Sequence, residues 1–315
     1  MKKNFSGNNN LATLAGIVSV LLWSSSIAFS KSVMTDIGAI ETAFLTFFCS
    51  GISILVFFLI FSGPFFFNSV RALSFKYYYS IAIFFVLNNI FLYVAVGFTK
   101  NNEELVIVSL LNYLWPVLIY LFQIFILKEK VKSSLFFVGM VLAFSGIVIT
   151  LLQGYSTVGI LKLITNGGNN LWAYLFALLT AISWALYSCF TIRKKLSNDI
   201  VAIPFIFLLS SLFFLGLLLF GPTPINLAIK TLYKNTDLLF LIIGPTALAY
   251  LGWYFAMKWG NKKLVVSLSF FIPLLSLIIT HFKFNVAIKK VFWLAVVLLI
   301  TGSLLCFKSF KKNIV

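Results

Sequence analysis

Four neighbouring residues offer the clearest chemistry in the sequence, which is non-covalent binding. Asn112, Tyr113, Trp115 and Pro116 lie in the apolar run 105–127, which contains no charged residue. Their amide, phenol and indole groups can bind a solute by hydrogen bonding and stacking. Proline has no N–H, so the carbonyl four residues earlier, that of Asn112, is left open for another partner. The alternative is a simple packing kink, because prolines are common in membrane helices.

Three other apolar runs carry polar and aromatic residues at spacings of three and four, as on one face of a helix. These residues are Gly16, Ser19, Trp23, Ser26 and Ser30; Ala177, Thr180, Trp184, Tyr187, Ser188 and Thr191; and Ser269, Pro273, Ser276 and Thr280. Small and hydroxyl residues also mediate close helix packing in lipid. Trp23 and Trp184 favour a cavity, because a mid-span indole prevents close approach and brings an N–H that needs a partner.

The elements that position these residues are predicted to be membrane-spanning helices. The chain has 315 residues, of which 61% are hydrophobic and 10% charged, and its mean hydropathy is +1.07. This composition excludes a soluble domain and predicts an all-α polytopic membrane protein. Ten apolar runs can each cross a bilayer core of about 30 Å as a helix. They are 11–30, 41–62, 77–98, 105–127, 134–152, 171–192, 200–220, 238–257, 264–282 and 290–307.

The formal net charge of +17 does not indicate a nucleic-acid partner. The lysines lie at the ends of the apolar runs, where the positive-inside rule concentrates them, and not on one compact basic face. Alternate loops hold about twice as many Lys and Arg residues as the loops between them. This bias predicts that both termini are cytoplasmic, which requires an even number of spans.

Catalytic and metal-binding groups are scarce in the sequence. The acidic residues lie at predicted helix starts or in predicted loops, as Asp199 does, and His281 is the single histidine, near the outer end of the ninth span. Three cysteines in apolar runs indicate neither a disulfide framework nor a metal site. With no nucleotide-binding motif and no catalytic constellation, we expect a protein that is not an enzyme and needs no cofactor or metal.

The two halves of the chain resemble each other. Alignment of Trp23 with Trp184 matches Ser19 to Thr180, and alignment of Pro116 with Pro273 matches Asn112 to Ser269. We therefore predict one five-helix repeat at 1–152, an outer linker at 153–170 and a second repeat at 171–315. Because five is odd, the second copy is expected to be inverted, an architecture of secondary transporters with a midplane substrate site.

Several short motifs, in order along nearly the whole chain, resemble the drug/metabolite transporter superfamily, EamA type, and within it the bacterial aromatic amino acid exporters. The motifs lie at 12–16 and 22–24, 112–116, 184–187, 249–250 with Trp253, 260–261, 269–271 with Pro273, and 302–306. The resemblance implies export of aromatic and other neutral amino acids across the bacterial inner membrane. It also implies a cavity lined by Trp23, Tyr113, Trp115 and Trp184. Asn88 and Asn89 replace a Tyr-Glu pair of the family, so proton linkage is an open question.

The sequence therefore predicts a carrier that binds a small molecule, with the lipid bilayer around it and a single chain as the functional unit. The expected substrate-binding residues are Trp23, Asn112, Tyr113, Trp115, Trp184, Tyr187, Tyr250, Trp253 and Ser269, with helix kinks at Pro116 and Pro273. The alternative is an exporter of lipophilic cations, drugs or other small metabolites, because aromatic faces also attract cations.

Overall fold

Helices make up nearly all the regular structure of the described residues. The computed structural model describes residues 9–73, 81–100, 102–152, 156, 170–193, 199–220, 235–285 and 287–310. In these ranges the exception is one antiparallel bridge between Val131 and Phe310. The α-helices are α1 Asn9–Ile37, α2 Ala39–Ser62, α3 Pro64–Arg71, α4 Ile83–Phe98, α5 Asn102–Asn112, α6 Trp115–Leu127, α7 Ser133–Leu152, α8 Leu171–Arg193, α9 Ile203–Phe220, α10 Thr236–Leu241, α11 Ala249–Trp259, α12 Lys262–Ser269, α13 Ile272–Phe284 and α14 Phe292–Ser309.

The prediction of an all-α polytopic membrane protein is confirmed. Within the described ranges, eight helices are long and apolar enough to cross a membrane, or nine if the bent pair α12–α13 forms one span. The one remaining predicted run, 77–98, corresponds to α4, which is apolar but has only 16 residues in its described part. The count of ten is therefore approximate. The predicted linker 153–170 lies outside the described residues, except for Ser156 and Asn170.

Two of the spans are interrupted just before a proline. Helix α5 ends at Asn112 and α6 begins at Trp115; likewise α12 ends at Ser269 and α13 begins at Ile272, with a bend of 49°. Pro116 and Pro273 are thus the second residues of new helices. The N–H groups of a first turn have no partner within the helix, so proline costs no helical hydrogen bond there. The expected kinks take the form of helix breaks that place the proline in a first turn.

A third proline distorts the span made by α10 and α11 in a different way. Between these helices, Ile242–Leu248 forms a π-helix that contains Pro245. The Ser50 hydroxyl on α2 donates a hydrogen bond to the Ile242 carbonyl at 2.8 Å. A side chain of a neighbouring helix therefore satisfies a backbone group in the distorted segment, as lipid surroundings require. Single π-turns of this kind are frequent at functional sites.

The chain forms two compact units, each of which combines segments from both halves of the sequence. The first unit is Met1–Val86 with Lys194–Gly260, and the second is Leu87–Arg193 with Asn261–Val315. A compact unit is therefore not the same as a sequence repeat. The division into repeats at 1–152 and 171–315 remains a prediction. It concerns the similarity of the two halves of the sequence and their opposite orientation in the membrane.

In the first unit, α1 packs along α11 and α2 packs along α9. Val33, Leu45, Leu238 and Leu241 belong to one buried apolar cluster near the end of α1. Phe47 and Phe214 stack with ring centroids 5.7 Å apart, which joins α2 to α9. Because lipid is as apolar as these side chains, van der Waals packing rather than the hydrophobic effect holds such contacts.

In the second unit, the closest helix contact is between α7 and α14. Gly139 and Gly302 face each other across it, and a Cβ on Gly302 would lie 2.3 Å from the Ala143 backbone nitrogen. Any larger residue at position 302 would force the two backbones apart. Glycine is used here for close approach, in the manner of small-residue helix interfaces in membranes.

The structure corrects the expectation that Asp199 is a loop residue. Asp199 begins a short 3-10 helix, Asp199–Ala202, and is fully buried. Its Oδ1 accepts hydrogen bonds from Lys258 Nζ and from the Tyr254 hydroxyl, and Lys258 Nζ lies 2.8 Å from that hydroxyl. This ion pair joins the start of the seventh predicted span to the end of the eighth within the first unit.

We expect Gly302→Ala to destabilise the protein, because the added methyl group meets backbone atoms that cannot move independently. The expected cost is about 1–3 kcal/mol, typical of overpacking. Gly216→Ala in α9 is the matched control, because a Cβ there meets nothing within 4 Å. The measurement is thermal unfolding of each purified variant in detergent. A Gly302→Ala variant as stable as Gly216→Ala would contradict the close contact.

We expect Asp199→Ala to destabilise the first unit by about 3–5 kcal/mol, because it leaves the buried Lys258 cation unpaired. Replacing both partners, with Asp199→Leu and Lys258→Met, should recover most of that loss. Thermal unfolding of the wild type, of Asp199→Leu and Lys258→Met alone, and of the double variant forms a complete cycle. Additive losses in the double variant would show that the two side chains do not interact.

Candidate functional site

The residues predicted to bind substrate divide between the two units. Trp23, Tyr250 and Trp253 belong to the first unit. The other six belong to the second unit, namely Asn112, Tyr113, Trp115, Trp184, Tyr187 and Ser269. Within each unit, aromatic residues from different helices contact one another, although they are far apart in the sequence.

In the first unit, Trp23 is the centre of an aromatic cluster between α1 and α11. Its ring centroid lies 5.1 Å from that of Tyr250, edge-to-face, and 5.3 Å from that of Trp253. Its indole Nε1–H donates a hydrogen bond to the Pro245 carbonyl at 3.0 Å. The partner that a mid-span indole needs is thus the backbone of the π-helix. The bond fixes the ring plane, so stacking is what Trp23 can offer a solute.

Tyr250 is held in this cluster by further aromatic rings. Phe85 and Phe207 lie 5.0 and 5.4 Å from it, centroid to centroid, in tilted and edge-to-face arrangements. Trp23 and Tyr250 are half-buried, whereas Trp253 is fully buried. Trp253 therefore supports the cluster from behind in this conformation, and Trp23 and Tyr250 present its accessible surface.

In the second unit, the main aromatic contact joins α6 and α8. Trp115 and Trp184 meet edge-to-face at 6.4 Å and an interplanar angle of 89°. Tyr187, one turn along α8, lies 5.2 Å from Trp184. Ile119 lies four residues after Trp115 on α6, and its carbonyl accepts a contact from the Cys189 thiol of α8 at 3.5 Å. Helices α6 and α8 therefore run side by side in the same direction from the tryptophan pair onward.

Tyr113 and Trp115 would fall on opposite faces of a straight helix, but a break separates α5 from α6 at this point. In the structure Tyr113 is in the break, and both side chains are largely buried. Asn112 ends α5 and is half-buried. Since Pro116 has no N–H, it cannot donate to the Asn112 carbonyl, which keeps bonding capacity next to the tryptophan pair.

Ser269, a predicted binding residue, has its hydroxyl engaged within its own helix. It is buried, and its hydroxyl donates to the Val266 carbonyl of its own helix at 2.7 Å. A hydroxyl oxygen that donates can still accept a hydrogen bond. Ser269 is thus limited to an acceptor role unless the α12–α13 break changes shape.

Asn88 and Asn89 are both buried near the start of α4. The Asn88 side-chain nitrogen lies 3.5 Å from the Asn89 side-chain oxygen, a long contact between two neutral amides. Within the described residues, no three His, Cys, Asp or Glu side chains are grouped closely enough to hold a metal ion. The Asn88 and Asn89 side chains are themselves neutral dipoles.

Two polar side chains on α6, Tyr120 and Gln123, were not among the predicted site residues. The Tyr120 hydroxyl contacts α12. It donates to the Lys263 carbonyl at 2.8 Å and also contacts the Ser267 hydroxyl. Gln123 is fully buried. A signal was available for Gln123, because it is an amide in a charge-free run, eleven residues after Asn112 and so on the same helical face.

The chain was compared with known families and proteins. The EamA-like transporter family matches it twice, at residues 10–152 and 171–308. A protein of Salmonella typhimurium named aromatic amino acid exporter YddG is 26% identical over 302 residues, covering 96% of this chain and 98% of that protein. Its namesake in Escherichia coli is 25% identical over 304 residues, with the same coverage.

The similarity extends to a third exporter and to a solved structure. The aromatic amino acid exporter YddG of Ancylobacter novellus is 29% identical over 169 residues, about half of each chain. One crystal structure superposes with a TM-score of 0.75 at 23% identity, covering 95% of this chain and 98% of the other, which supports the fold alone. Because the family matches cover most of the sequence, in two copies, the chain belongs to the EamA-like transporter family.

Proposed function

We propose that the protein is a secondary transporter that exports aromatic and other neutral amino acids across the bacterial inner membrane. The observation that carries this proposal is the edge-to-face contact of Trp115 and Trp184, next to a helix break that leaves the Asn112 carbonyl available. This combination offers an aromatic surface and a polar group within one unit. The names of the relatives, which cover nearly the whole chain, support the same substrate class.

The proposed binding chemistry separates the solute's side chain from its charged head. Trp115 and Trp184 in the second unit, and Trp23 in the first, each offer a stacking surface for an aromatic or apolar side chain. The neutral dipoles proposed for the head group are the Asn112 amide and carbonyl in the second unit and the Tyr250 hydroxyl in the first. The residues Tyr113, Tyr187, Trp253 and Ser269 complete the proposed set. An amino acid zwitterion has no net charge, so dipoles can bind both its ends without a counter-ion.

The proposed mechanism is alternating access, in which two inverted repeats expose the binding residues to one side of the membrane at a time. We further propose that both termini are cytoplasmic, that one chain forms the functional unit, and that the protein has no enzymatic activity. Asn88 and Asn89 are neutral at all physiological pH values. Since no carboxylate belongs to the proposed site, transport is expected to proceed without proton coupling.

The double variant Trp115→Ala plus Trp184→Ala should reduce the transport rate of phenylalanine by at least about tenfold, because it removes the stacking surface of the second unit. The measurement is uptake of radiolabelled phenylalanine into liposomes that contain the purified protein. The matched control is Trp172→Ala plus Trp293→Ala, which removes two tryptophans with exposed fractions of 60% and 70%. Transport at the wild-type rate in the first double variant would contradict the proposed site.

Imposing a pH gradient across the same liposomes should leave the initial rate of phenylalanine uptake by the wild-type protein unchanged. Tryptophan and threonine extend the test to a larger ring and to a substrate without one, and tetraphenylphosphonium tests the alternative function. Saturable amino acid uptake that is indifferent to pH agrees with the proposal. Uptake of tetraphenylphosphonium alone would make the protein an exporter of lipophilic cations instead.

A further inference from the structure

Gln123 is a buried amide with no hydrogen bonds from its side chain. Both Nε2 and Oε1 lack a partner among the described residues, and the whole residue has an exposed fraction of 0%. It lies four residues before the end of α6, within the charge-free apolar run 105–127. Lipid tails offer no hydrogen bond, and an unpaired buried amide is costly. A leucine would fill similar space without that cost, so the retained amide calls for a function.

Gln123 lies on α6, the helix that also carries Trp115, one of the proposed binding residues of the second unit. Pro116, Ile119 and Gln123 are spaced by three and four residues within α6, which places them on one face of that helix. At 1.5 Å per residue, Gln123 lies about 12 Å beyond Trp115 along α6. Gln123 is therefore closer than Trp115 to Lys128, which follows the last residue of α6. The charge bias predicts that this end of the span is cytoplasmic.

The neighbouring polar groups at that end of the unit are already engaged. Tyr120 bonds to α12, as described above, and the Glu129 carboxylate pairs with Lys262 and Lys263 at 3.5 and 2.9 Å. The Gln123 backbone carbonyl accepts the Glu129 N–H at 3.2 Å, which closes the end of α6. The Gln123 side chain differs from all of these, because its own donor and acceptor are unused.

We propose that Gln123 is a second binding position for the charged head of the transported amino acid, on the inner side of the tryptophan pair. A primary amide has both groups that a zwitterion needs: its NH₂ donates to a carboxylate, and its oxygen accepts from an ammonium. The solute bonds to Gln123 in a state of the transport cycle that opens this end of the unit. The inference rests on the proposed function, since it names how the same amino acid enters from the cytoplasmic side.

The test is Gln123→Leu, assayed for phenylalanine transport from each face of liposomes with a uniform protein orientation. The half-saturating concentration on the Lys128 face should rise about tenfold, the loss expected when a hydrogen bond to a charged group is removed. On the opposite face it should change less than twofold. Inhibition by indole, which has a ring but no carboxylate or ammonium, should be unaffected by the substitution.

Two controls separate this effect from damage to the fold. Tyr120→Phe removes a polar group from the same helix that is already bonded within the protein, and Phe125→Leu alters a side chain with an exposed fraction of 74%. Neither should change the half-saturating concentration on one face alone. Thermal unfolding of Gln123→Leu should occur at the same or a higher temperature than the wild type, because an unpaired buried amide is removed.

The outcomes are distinguishable. An unchanged half-saturating concentration on both faces of Gln123→Leu, with phenylalanine still carried by the wild type, would overturn the inference and leave the proposed function intact. An equal rise on both faces would place Gln123 in the central site and would also overturn it, as would an equal loss of inhibition by indole. If the wild-type protein carries no amino acid, the proposed function fails and the inference fails with it.

Discussion

The structure depends on one constraint, which is that backbone polar groups buried in lipid must find partners within the protein. Prolines 116, 245 and 273 each remove an N–H from a membrane span. Two of these spans respond by breaking before the proline, and the third forms a π-helix. Ser50 and Trp23 then donate to the carbonyls of Ile242 and Pro245. The bond from Trp23 thus both satisfies a carbonyl of the distorted backbone and orients a proposed binding residue.

Charge is distributed by the same constraint. The buried carboxylate of Asp199 and the buried ammonium of Lys258 neutralise each other as an ion pair. The proposed binding residues, by contrast, are all uncharged, so neither aromatic cluster needs a counter-ion. A solute without net charge can bind to such a surface and leave it with little electrostatic cost, which suits a carrier that must release what it binds. The buried ion pair is therefore suited to holding helices together, and the neutral dipoles to transient binding.

Much of the helical architecture could be predicted from the sequence, because the length of an apolar run directly reflects the thickness of a bilayer. The positions of the breaks followed from Pro116 and Pro273, since the chemistry of proline is local. Long-range pairings could not be predicted in this way. The carboxylate of Asp199 and the amine of Lys258 are 59 residues apart, and a helical period does not reveal which loop residue will be buried. Similarly, the need of Trp23 for a hydrogen-bond partner was evident, but not that Pro245 would supply it.

The bond between Trp23 and Pro245 joins residues 222 positions apart, one in the first span and one in the eighth. During synthesis, α1 enters the membrane long before its packing partner α11 has been made. In that interval the carbonyls to which the Trp23 indole and the Ser50 hydroxyl later donate hydrogen bonds have not yet been made. The first unit is therefore completed late, when the ribosome has passed Gly260, and long-range closure of this kind makes folding slow. A chain truncated after its first five spans would contain half of each unit, and neither aromatic cluster could form in it.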